Sequence, residues 1–485
     1  MPWNHTSNEP PGRAAPDGRL KPLNRGAWRE MSESRDLRLV ENDHRYLWHP
    51  FTQMRAWLND RPIIIERGEG NYLIDVHGQR FLDGVSSLWC NVHGHRKPEL
   101  DQALIDQAKR IAHSTMLGLS NVPAIELGRQ LIAVAPSGLK RVFYSDSGAE
   151  AVEVALRMAV QYWQLNGAAE RKLFLTLTES YHGDTVGAAS LGYSEVFHRY
   201  ARPVLFPVLK TDPPLVFRLY RGLTAQDALA AALEAARALI ERHREEIAAL
   251  VIEPIVQGAA GMWTHPPEYL RQIVRLAREA GALVIFDEVA TGFGRTGKMF
   301  ACEHAQVTPD LLCLGKGITG GYLPLAATLA TERIFNAFLG EPAEFRAFYY
   351  GHTYTGNPLA AAVAAANLKL FGDEAIIERI APRIALLSRA LDEEVATAPH
   401  VADVRQCGLM VGVELMRDVA RGERYDISRQ MGTKVARAAR NAGVLIRPLG
   451  DVVVLMPPLS INEAEIRHLV SAAGEAIRQV VAHDD

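Results

Sequence analysis

The sequence has few cysteines, and they are widely separated. Four of its 485 residues are cysteine, and Cys90, Cys302, Cys313 and Cys407 include no CxxC pair. This spacing argues against a disulfide framework and against a zinc knuckle, and we predict no metal site. The cysteine content is typical of a protein kept in a reducing cytoplasm.

Long apolar runs and an excess of one charge are also absent. No apolar stretch approaches the roughly 18 residues that a membrane-spanning helix needs. The 53 Lys and Arg residues nearly balance the 56 Asp and Glu residues, so the formal net charge is −3. Because no basic surface is indicated, we expect small-molecule partners rather than nucleic acid or a membrane.

The residues that are present indicate a large globular α/β protein. Hydrophobic residues make up 48% of the chain, which excludes a disordered or coiled-coil class. Residues 1–40 carry five prolines and no apolar periodicity, which predicts a disordered leader. We expect a large domain over residues 100–345 and a smaller domain built from residues 41–99 and 346–485.

Strands and helices alternate through the predicted large domain. Residues 249–252 and 282–286 read as short buried strands, and two predicted helices precede them, one over 224–247 and one over 267–280. Gly281 ends the second helix. Since strand, helix and strand follow one another through short connections, the sequence predicts a parallel sheet.

In such sheets, ligands bind beyond the carboxyl ends of the strands, so the residues there are the candidates for function. Small residues at Gly148 and Ala149 open a helix after one strand, where free amides and the helix dipole favour a phosphate. An ordinary Asp/Ser helix cap explains the same residues. Tyr181 follows the next strand and could stack on a planar ligand or simply lie at the rim of the domain.

Two further candidates are charged. Asp287 ends an apolar strand, where its carboxylate needs a cationic or hydrogen-bonding partner, either structural or functional. Lys316 follows a fourth apolar strand among clustered glycines. A desolvated lysine loses its proton more easily and can form a Schiff base. Together these residues match what pyridoxal phosphate requires: a phosphate cradle, an aromatic face, a carboxylate and a nucleophilic amine.

Two other motifs are weaker. Residues 292–298 satisfy the G-x-x-x-x-G-K pattern of a nucleotide-binding loop, but Met299 stands where a magnesium-binding Ser or Thr belongs. Residues 315–320 satisfy G-x-G-x-x-G without the acidic residue expected about twenty positions later. A nucleotide-binding enzyme therefore remains only an alternative.

The stretch from Leu283 to Ala301 (LVIFDEVATGFGRTGKMFA), continued at Lys316 by KGITGG, resembles the signature of class III pyridoxal-phosphate aminotransferases. The resemblance extends over about residues 45–480. It implies fold type I, a homodimer with a mainly parallel seven-stranded large domain and a small domain from both chain ends. The motifs HPFTQM, YSDSGAEAVE, IEPIVQGA and RPLG are similar to the branch that aminates 8-amino-7-oxononanoate in biotin synthesis.

The resemblance also implies roles for individual residues. In it, Lys316 forms the Schiff base and relays protons, and Asp287 pairs with the ring nitrogen. Phosphate contacts are implied for Gly148 and Ala149 and, toward the partner subunit, for His352 and Thr353, with Tyr181 on the ring. The implied substrate-binding residues are Phe51, Leu88, Trp89, Gly351 and Arg447.

Two positions depart from the better-known members of this branch, which use S-adenosylmethionine as amino donor. Phe51 replaces a tyrosine and Leu88 replaces a tryptophan. These forms look more like members that use L-lysine, so both donors stay open. Another class III ω-aminotransferase, acting on 4-aminobutyrate, ornithine or polyamines, and a non-catalytic pyridoxal-phosphate sensor are the remaining alternatives.

Overall fold

The computed structural model describes residues 25–483, with side chains from Arg35 onward. Residues 1–24 of the predicted leader lie outside the described residues. In its described part, Arg25–Tyr46 forms a helix, which differs from the predicted disorder.

The secondary structure alternates through most of the chain. The helices are α1 (Arg25–Tyr46), α2 (Met54–Trp57), α3 (Ser86–Trp89), α4 (Pro98–Ala108), α5 (Val122–Val134), α6 (Gly148–Leu165), α7 (Val186–Leu191), α8 (Glu195–His198), α9 (Ala225–Arg242), α10 (Pro267–Glu279), α11 (Glu332–Ala337), α12 (Pro358–Asp373), α13 (Ile376–Glu394), α14 (Met431–Asn441) and α15 (Glu463–Ala482). The strands are β1 (Ile65–Glu69), β2 (Tyr72–Asp75), β3 (Arg80–Asp83), β4 (Leu139–Ser145), β5 (Leu173–Leu177), β6 (Leu209–Thr211), β7 (Ile247–Ile252), β8 (Val256–Gln257), β9 (Trp263–Thr264), β10 (Leu283–Asp287), β11 (Leu311–Leu314), β12 (Ala326–Thr331), β13 (Val401–Cys407), β14 (Met410–Leu415), β15 (Val444–Leu445), β16 (Arg447–Leu449) and β17 (Val452–Leu455).

The chain forms two compact units. The smaller comprises the described residues up to Arg67 together with Ile74–Gln79, and the larger comprises Gly68–Leu73 and the chain from Arg80 onward. This division follows contacts between residues, and the predicted division into domains stays a prediction.

In the smaller unit, charged side chains tie α1 to the segment that follows it. Arg35 pairs with Glu66 at 2.7 Å, and buried Asp36 pairs with Arg61 and with His77. Because these partners lie 25 or more residues apart, the composition of the leader alone could not indicate them.

A seven-stranded sheet forms the centre of the larger unit. Its order is β4-β12-β11-β10-β7-β5-β6. The pairs β11–β10, β10–β7, β7–β5 and β5–β6 are parallel, whereas β12 is antiparallel to both β11 and β4. This mainly parallel sheet confirms the predicted fold class.

The central strands β7, β10 and β11 are buried along their whole length. Helices cover both faces of such a sheet, so its strands read as continuous apolar runs rather than as alternating patterns. This is why the strands were visible in the sequence. Helix α9 begins where the sequence predicts it, directly after Thr224, whose side chain accepts a hydrogen bond from Asp227 N and so caps the helix.

A second, antiparallel sheet has the order β13-β14-β17-β16. Nearby, β15 pairs in parallel with β3, joining Val444 to Leu82 and Leu445 to Asp83. Segments from distant parts of the sequence thus share one ladder. Over the part of the chain that the structure describes, none of the helices is both long and apolar enough to cross a bilayer.

Candidate active site

A cavity of about 510 Å³ lies at the carboxyl ends of the central strands. Its walls come from the segments that follow β4, β5, β7, β10 and β11, which is where the parallel topology predicts a ligand site. The lining residues used below are Trp89, Ser147, Gly148, Ala149, Tyr181, His182, Asp184, Glu253, Asp287, Val289 and Lys316. The cavity therefore brings together all four spots predicted after the strands.

Lys316 follows β11 through Gly315 and lines the cavity. Removal of its ammonium from water lowers the pKa of Lys316, and the carboxylates of Asp287 and Glu253 partly oppose this shift. The Nζ atom lies 5.1 Å from the centre of the Trp89 ring. A lysine with a lowered pKa holds more of its amine neutral and is a better nucleophile.

Asp287 ends β10, and both of its carboxylate oxygens are occupied. Oδ2 lies 2.7 Å from His182 Nδ1, and Oδ1 accepts a hydrogen bond from Val289 N at 3.0 Å. The other ring nitrogen of His182 lies 3.2 Å from Thr176 Oγ1. These buried contacts hold the carboxylate in one orientation, as is needed to keep a proton on an aromatic ring nitrogen.

Glu253 directly follows β7 and is buried. Its Oε1 accepts a hydrogen bond from Tyr181 N at 3.1 Å, and its Oε2 accepts one from Gly258 N at 2.9 Å. Burial raises the pKa of Glu253 to about 7, while His182 lowers it in part. The sequence analysis assigned no role to Glu253 or His182. A glutamate placed directly after an entirely apolar strand was the signal available for Glu253.

The first turn of α6 lies where the sequence predicts an anion cradle. Ser147 caps the helix, accepting a hydrogen bond from Glu150 N, and Glu150 Oε2 accepts one from Ser147 N at 2.9 Å. The first intrahelical bond runs from Ala151 N to Ser147 O. The amides of Gly148 and Ala149 precede this bond, so they are not used in the helix ladder, and both residues line the cavity.

This cradle tolerates no side chain at its first position. A Cβ added at Gly148 would lie 2.4 Å from Val289 Cγ1. Glycine at this position therefore lets the first turn of α6 pack directly against Val289.

Tyr181 and Trp89 supply aromatic surface to the cavity. The hydroxyl of Tyr181 donates to Asp184 Oδ2 at 2.7 Å, and burial together with this contact raises the pKa of Tyr181. Trp89 is buried in the tight turn Ser86–Trp89, where Ser87 donates to both carboxylate oxygens of Asp83 at 2.8 Å.

The remaining predicted site residues do not line this cavity. The side chain of Leu88 is 45% exposed beside Trp89, and Phe51 belongs to the smaller unit, where it is 60% exposed. Arg447 is exposed on β16. Gly351 and Thr353 are exposed in one loop, and His352 between them lines a separate cavity with Glu150. The roles of these residues stay predictions.

The residues around the cavity fit pyridoxal phosphate. Ser147, Gly148 and Ala149 bring the N-terminus of α6 to the cavity wall, and the amides of a helix N-terminus favour a phosphate. The fixed carboxylate of Asp287 and the amine of Lys316 supply the two groups that the ring and aldehyde need. Of the predicted site residues, the cavity brings together Trp89, Gly148, Ala149, Tyr181, Asp287 and Lys316, and the structure adds His182 and Glu253.

Comparison with known proteins identifies the family of this chain. The profile of the family described as "Aminotransferase class-III" matches residues 54–477. An adenosylmethionine-8-amino-7-oxononanoate aminotransferase of Aquifex aeolicus is 48% identical over 439 residues, covering 90% of this chain and 96% of that protein.

Two solved structures are also similar. The crystal structure of the enzyme of that same name from Methanocaldococcus jannaschii has a TM-score of 0.86 at 46% identity, with 91% of this chain and 98% of that chain covered. An amine transaminase from an uncultivated Pseudomonas species, in its PLP-bound form, has a TM-score of 0.86 at 35% identity, with 90% and 99% covered. The chain belongs to the class III aminotransferase family.

Proposed function

We propose that this protein transfers an amino group to 8-amino-7-oxononanoate, which yields 7,8-diaminononanoate for biotin synthesis. The observation that carries the proposal is the shared name of relatives that are 45–49% identical along nine tenths of the chain. As a class III aminotransferase, the protein uses pyridoxal 5'-phosphate. The amino donor is S-adenosylmethionine or L-lysine.

The cofactor, when bound, supplies an aldehyde that captures amines covalently and a ring that takes up the electrons released when a C–H proton leaves. The residues of the chain hold and orient the cofactor and move the proton. With the cofactor bound, the first-turn amides of Gly148 and Ala149 would hold the phosphate. Asp287, oriented by His182, would hold a proton at the ring nitrogen. Tyr181 would supply aromatic surface for the ring.

Proton movement is the work of Lys316. Burial lowers the pKa of Lys316, and its Nζ would accept a proton from the substrate carbon and later return it. Glu253 anchors Tyr181 through its backbone amide and so keeps that wall of the cavity in place.

Side chains farther from the Lys316 amine recognise the substrate. Arg447 binds the acceptor's carboxylate through a two-pronged contact, since its guanidinium has parallel donors. Trp89, Leu88, Phe51 and Gly351 are the other residues that the family resemblance assigns to substrate binding. The proposal for Trp89 is supported by its contact with Lys316.

The active form is a homodimer in the cytoplasm. His352 and Thr353 lie on a loop with little cover in the single chain, which suits residues that complete the phosphate site of the partner subunit. Four unpaired cysteines fit a reducing compartment.

A second candidate function follows from the amine transaminase neighbour, which is 35% identical. In this alternative, the same amine and cradle would process another ω-amine with pyruvate or 2-oxoglutarate. The residues proposed to hold the cofactor serve both reactions. The two candidate functions therefore differ in the residues that contact the substrate.

Visible absorbance of the cofactor-loaded protein tests the function. S-adenosylmethionine and L-lysine are added in separate cuvettes, and bleaching by one of them identifies the donor. Addition of 8-amino-7-oxononanoate should then restore the band. The matched control is Lys316→Ala, which should show no donor-dependent bleaching and lose activity by about 10³-fold or more.

A band that neither donor bleaches, or that the acceptor fails to restore, overturns the proposal. Bleaching by 4-aminobutyrate with recovery by pyruvate establishes the second candidate instead. A Lys316→Ala variant with full activity overturns the assignment of the amine.

A further inference from the structure

The hairpin of β8 and β9 lies directly behind the cavity. Gly258, the first residue of its turn, donates its N–H to Glu253 Oε2 at 2.9 Å. A Cβ added at Gly258 would lie 3.2 Å from Cζ3 of the Trp89 ring. The turn is thus in contact with two residues that line the cavity, one through a hydrogen bond and one through packing.

The far end of the same turn is held by a buried arginine. Arg405, on β13, donates from Nε and Nη2 to the carbonyl oxygen of Gly261 at 3.0 and 2.8 Å. The backbone of β14 also lies close to the turn, since a Cβ added at Gly412 on β14 would lie 2.5 Å from the carbonyl oxygen of Gly261. The turn therefore has no room to shift toward the second sheet.

Arg405 is itself fixed by a compact charge network. Its Nη1 lies 2.9 Å from Glu414 Oε2 and 2.7 Å from Asp403 Oδ2, and Arg218 pairs with the other oxygen of Glu414. Two arginines thus face two carboxylates, and Glu414 is fully buried. Because an unpaired buried charge is costly, each partner restricts the others to one arrangement.

These contacts form one continuous path from the second sheet to the reacting amine. It runs from Glu414 through Arg405 to the turn, from the turn to Trp89, and from the Trp89 ring to Lys316 Nζ at 5.1 Å. Before it reaches Lys316, this path includes no residue of β10 or β11.

We propose that Arg405 is a positioning residue for the substrate side of the cavity. It holds the turn of the β8–β9 hairpin and, through the turn, the Trp89 ring and the Glu253 carboxylate. A lysine cannot replace it, because one ammonium cannot donate in parallel to a carbonyl and also reach two carboxylates. This inference rests on the proposed function of the same cavity.

Arg405→Lys tests the inference against a matched control. Arg171 is a second buried arginine that donates to two backbone carbonyls, those of Ile247 and Ala280 at 2.9 and 3.1 Å, at the opposite end of the strands. Arg171→Lys therefore loses the same kind of contact away from the cavity.

Arg405→Lys should raise KM for 8-amino-7-oxononanoate about tenfold and change kcat less than about threefold, because the wall moves while the amine stays in place. Amide hydrogen exchange of residues 255–264, measured on cofactor-free protein, should accelerate about tenfold. Arg171→Lys should leave both quantities unchanged. Since exchange needs no substrate, it tests the inference even if the proposed acceptor is wrong.

Unchanged exchange in Arg405→Lys, or an equal effect in Arg171→Lys, overturns the inference. If Arg405→Lys does not fold, Asp403→Asn tests the inference instead, because it removes the charge of Asp403 and leaves Arg405 and Glu414 in place. Asp403→Asn should shift KM and exchange in the same direction by about two- to threefold, and no shift overturns the inference.

Discussion

Two side chains of the cavity, Lys316 and Glu253, have pKa values displaced in opposite directions by the same cause. Burial disfavours the charged form of each, so it lowers the pKa of the lysine and raises that of the glutamate. Each charge also partly stabilises the other. The cavity thus moves both groups toward neutral pH, where a proton can be exchanged at small cost.

Glu253 gives the stability of the cofactor-free protein a defined pH dependence. Its pKa rises from 4.5 to about 7 on folding, so between these values the folded state binds more protons than the unfolded state. The free energy of unfolding should therefore fall as pH rises from 4.5 to 7, with no further loss from this group above that range.

Thermal unfolding of the wild type and of Glu253→Gln from pH 4.5 to 8, at constant ionic strength, measures this effect. The variant should show a shallower fall of Tm across the window. The Tm of the variant should also be lower at every pH. The glutamine side chain has a single oxygen, so it cannot accept hydrogen bonds from both Tyr181 N and Gly258 N. Parallel curves would contradict the assigned shift.

Arg447 should affect the acceptor and not the cofactor. Arg447→Ala removes the proposed contact with the substrate carboxylate and should raise KM for 8-amino-7-oxononanoate about 10- to 100-fold. Cofactor affinity, followed by absorbance titration, should stay within about twofold. Arg447→Lys should recover only part of the loss, since an ammonium lacks the parallel donors. Equal losses for acceptors with and without a carboxylate would argue against the assignment.

At the residue scale, the sequence could indicate groups that follow an apolar strand but not the partners of those groups. Asp287 and Lys316 were predicted because a charge after a buried strand is unusual. His182, which orients Asp287, is 105 residues away in the chain, and only the fold brings the two together.

At the scale of elements, the first turn of α6 leaves no room for a side chain at its first residue. Gly148 is packed against Val289, a residue two positions after Asp287. The phosphate cradle and the strand end that carries the carboxylate are therefore in direct contact. The first turn of α6 can lie this close to Val289 because Gly148 has no side chain.

Gly148→Ala should lower affinity for pyridoxal phosphate by about tenfold or more, because its Cβ must push the helix away from Val289 and displace the first-turn amides. Absorbance titration of the cofactor-free variant measures the affinity. The double variant with Val289→Ala should recover most of it.

The control for this prediction is Gly372→Ala, since a Cβ at Gly372 meets no atom within 4 Å. It should bind the cofactor like the wild type. A Gly148→Ala variant with normal affinity would show that the first turn does not hold the phosphate.

The sequence predicted the long elements well and the short ones poorly. Strands β7, β10 and β11 and helices α9 and α10 have continuous apolar runs or clear caps and ends. The β8–β9 hairpin has only two residues in each strand, too few to show a period, so no pattern indicated it. Helix α1 was missed because its contacts with Glu66 and His77 are not local.

At the scale of the whole molecule, the proposed dimer makes each active site depend on two chains. In this proposal, Lys316 would serve the site of its own chain, and His352 and Thr353 would serve the site of the partner subunit. Two inactive variants with these defects should therefore complement each other when they assemble together.

Co-expression of Lys316→Ala with the double variant His352→Ala, Thr353→Ala tests this. Each homodimer should be nearly inactive, while random 1:1 assembly should restore about a quarter of wild-type activity, since half of the dimers then contain one intact site. Light scattering reports the oligomeric state of each preparation. Activity no higher than the mean of the two homodimers would show that the site lies within one chain.

The parallel pairing of β3 with β15 has a consequence for how the protein is made. The paired residues, Leu82 with Val444 and Asp83 with Leu445, are roughly 360 positions apart in the sequence. During synthesis, the edge of β3 leaves the ribosome long before its partner exists. At ~5–20 residues per second this edge stays unpaired for roughly 20 to 70 s. The nascent chain must be protected from edge-to-edge association during that time, so heterologous yield should depend on chaperone supply more than on the stability of the finished fold.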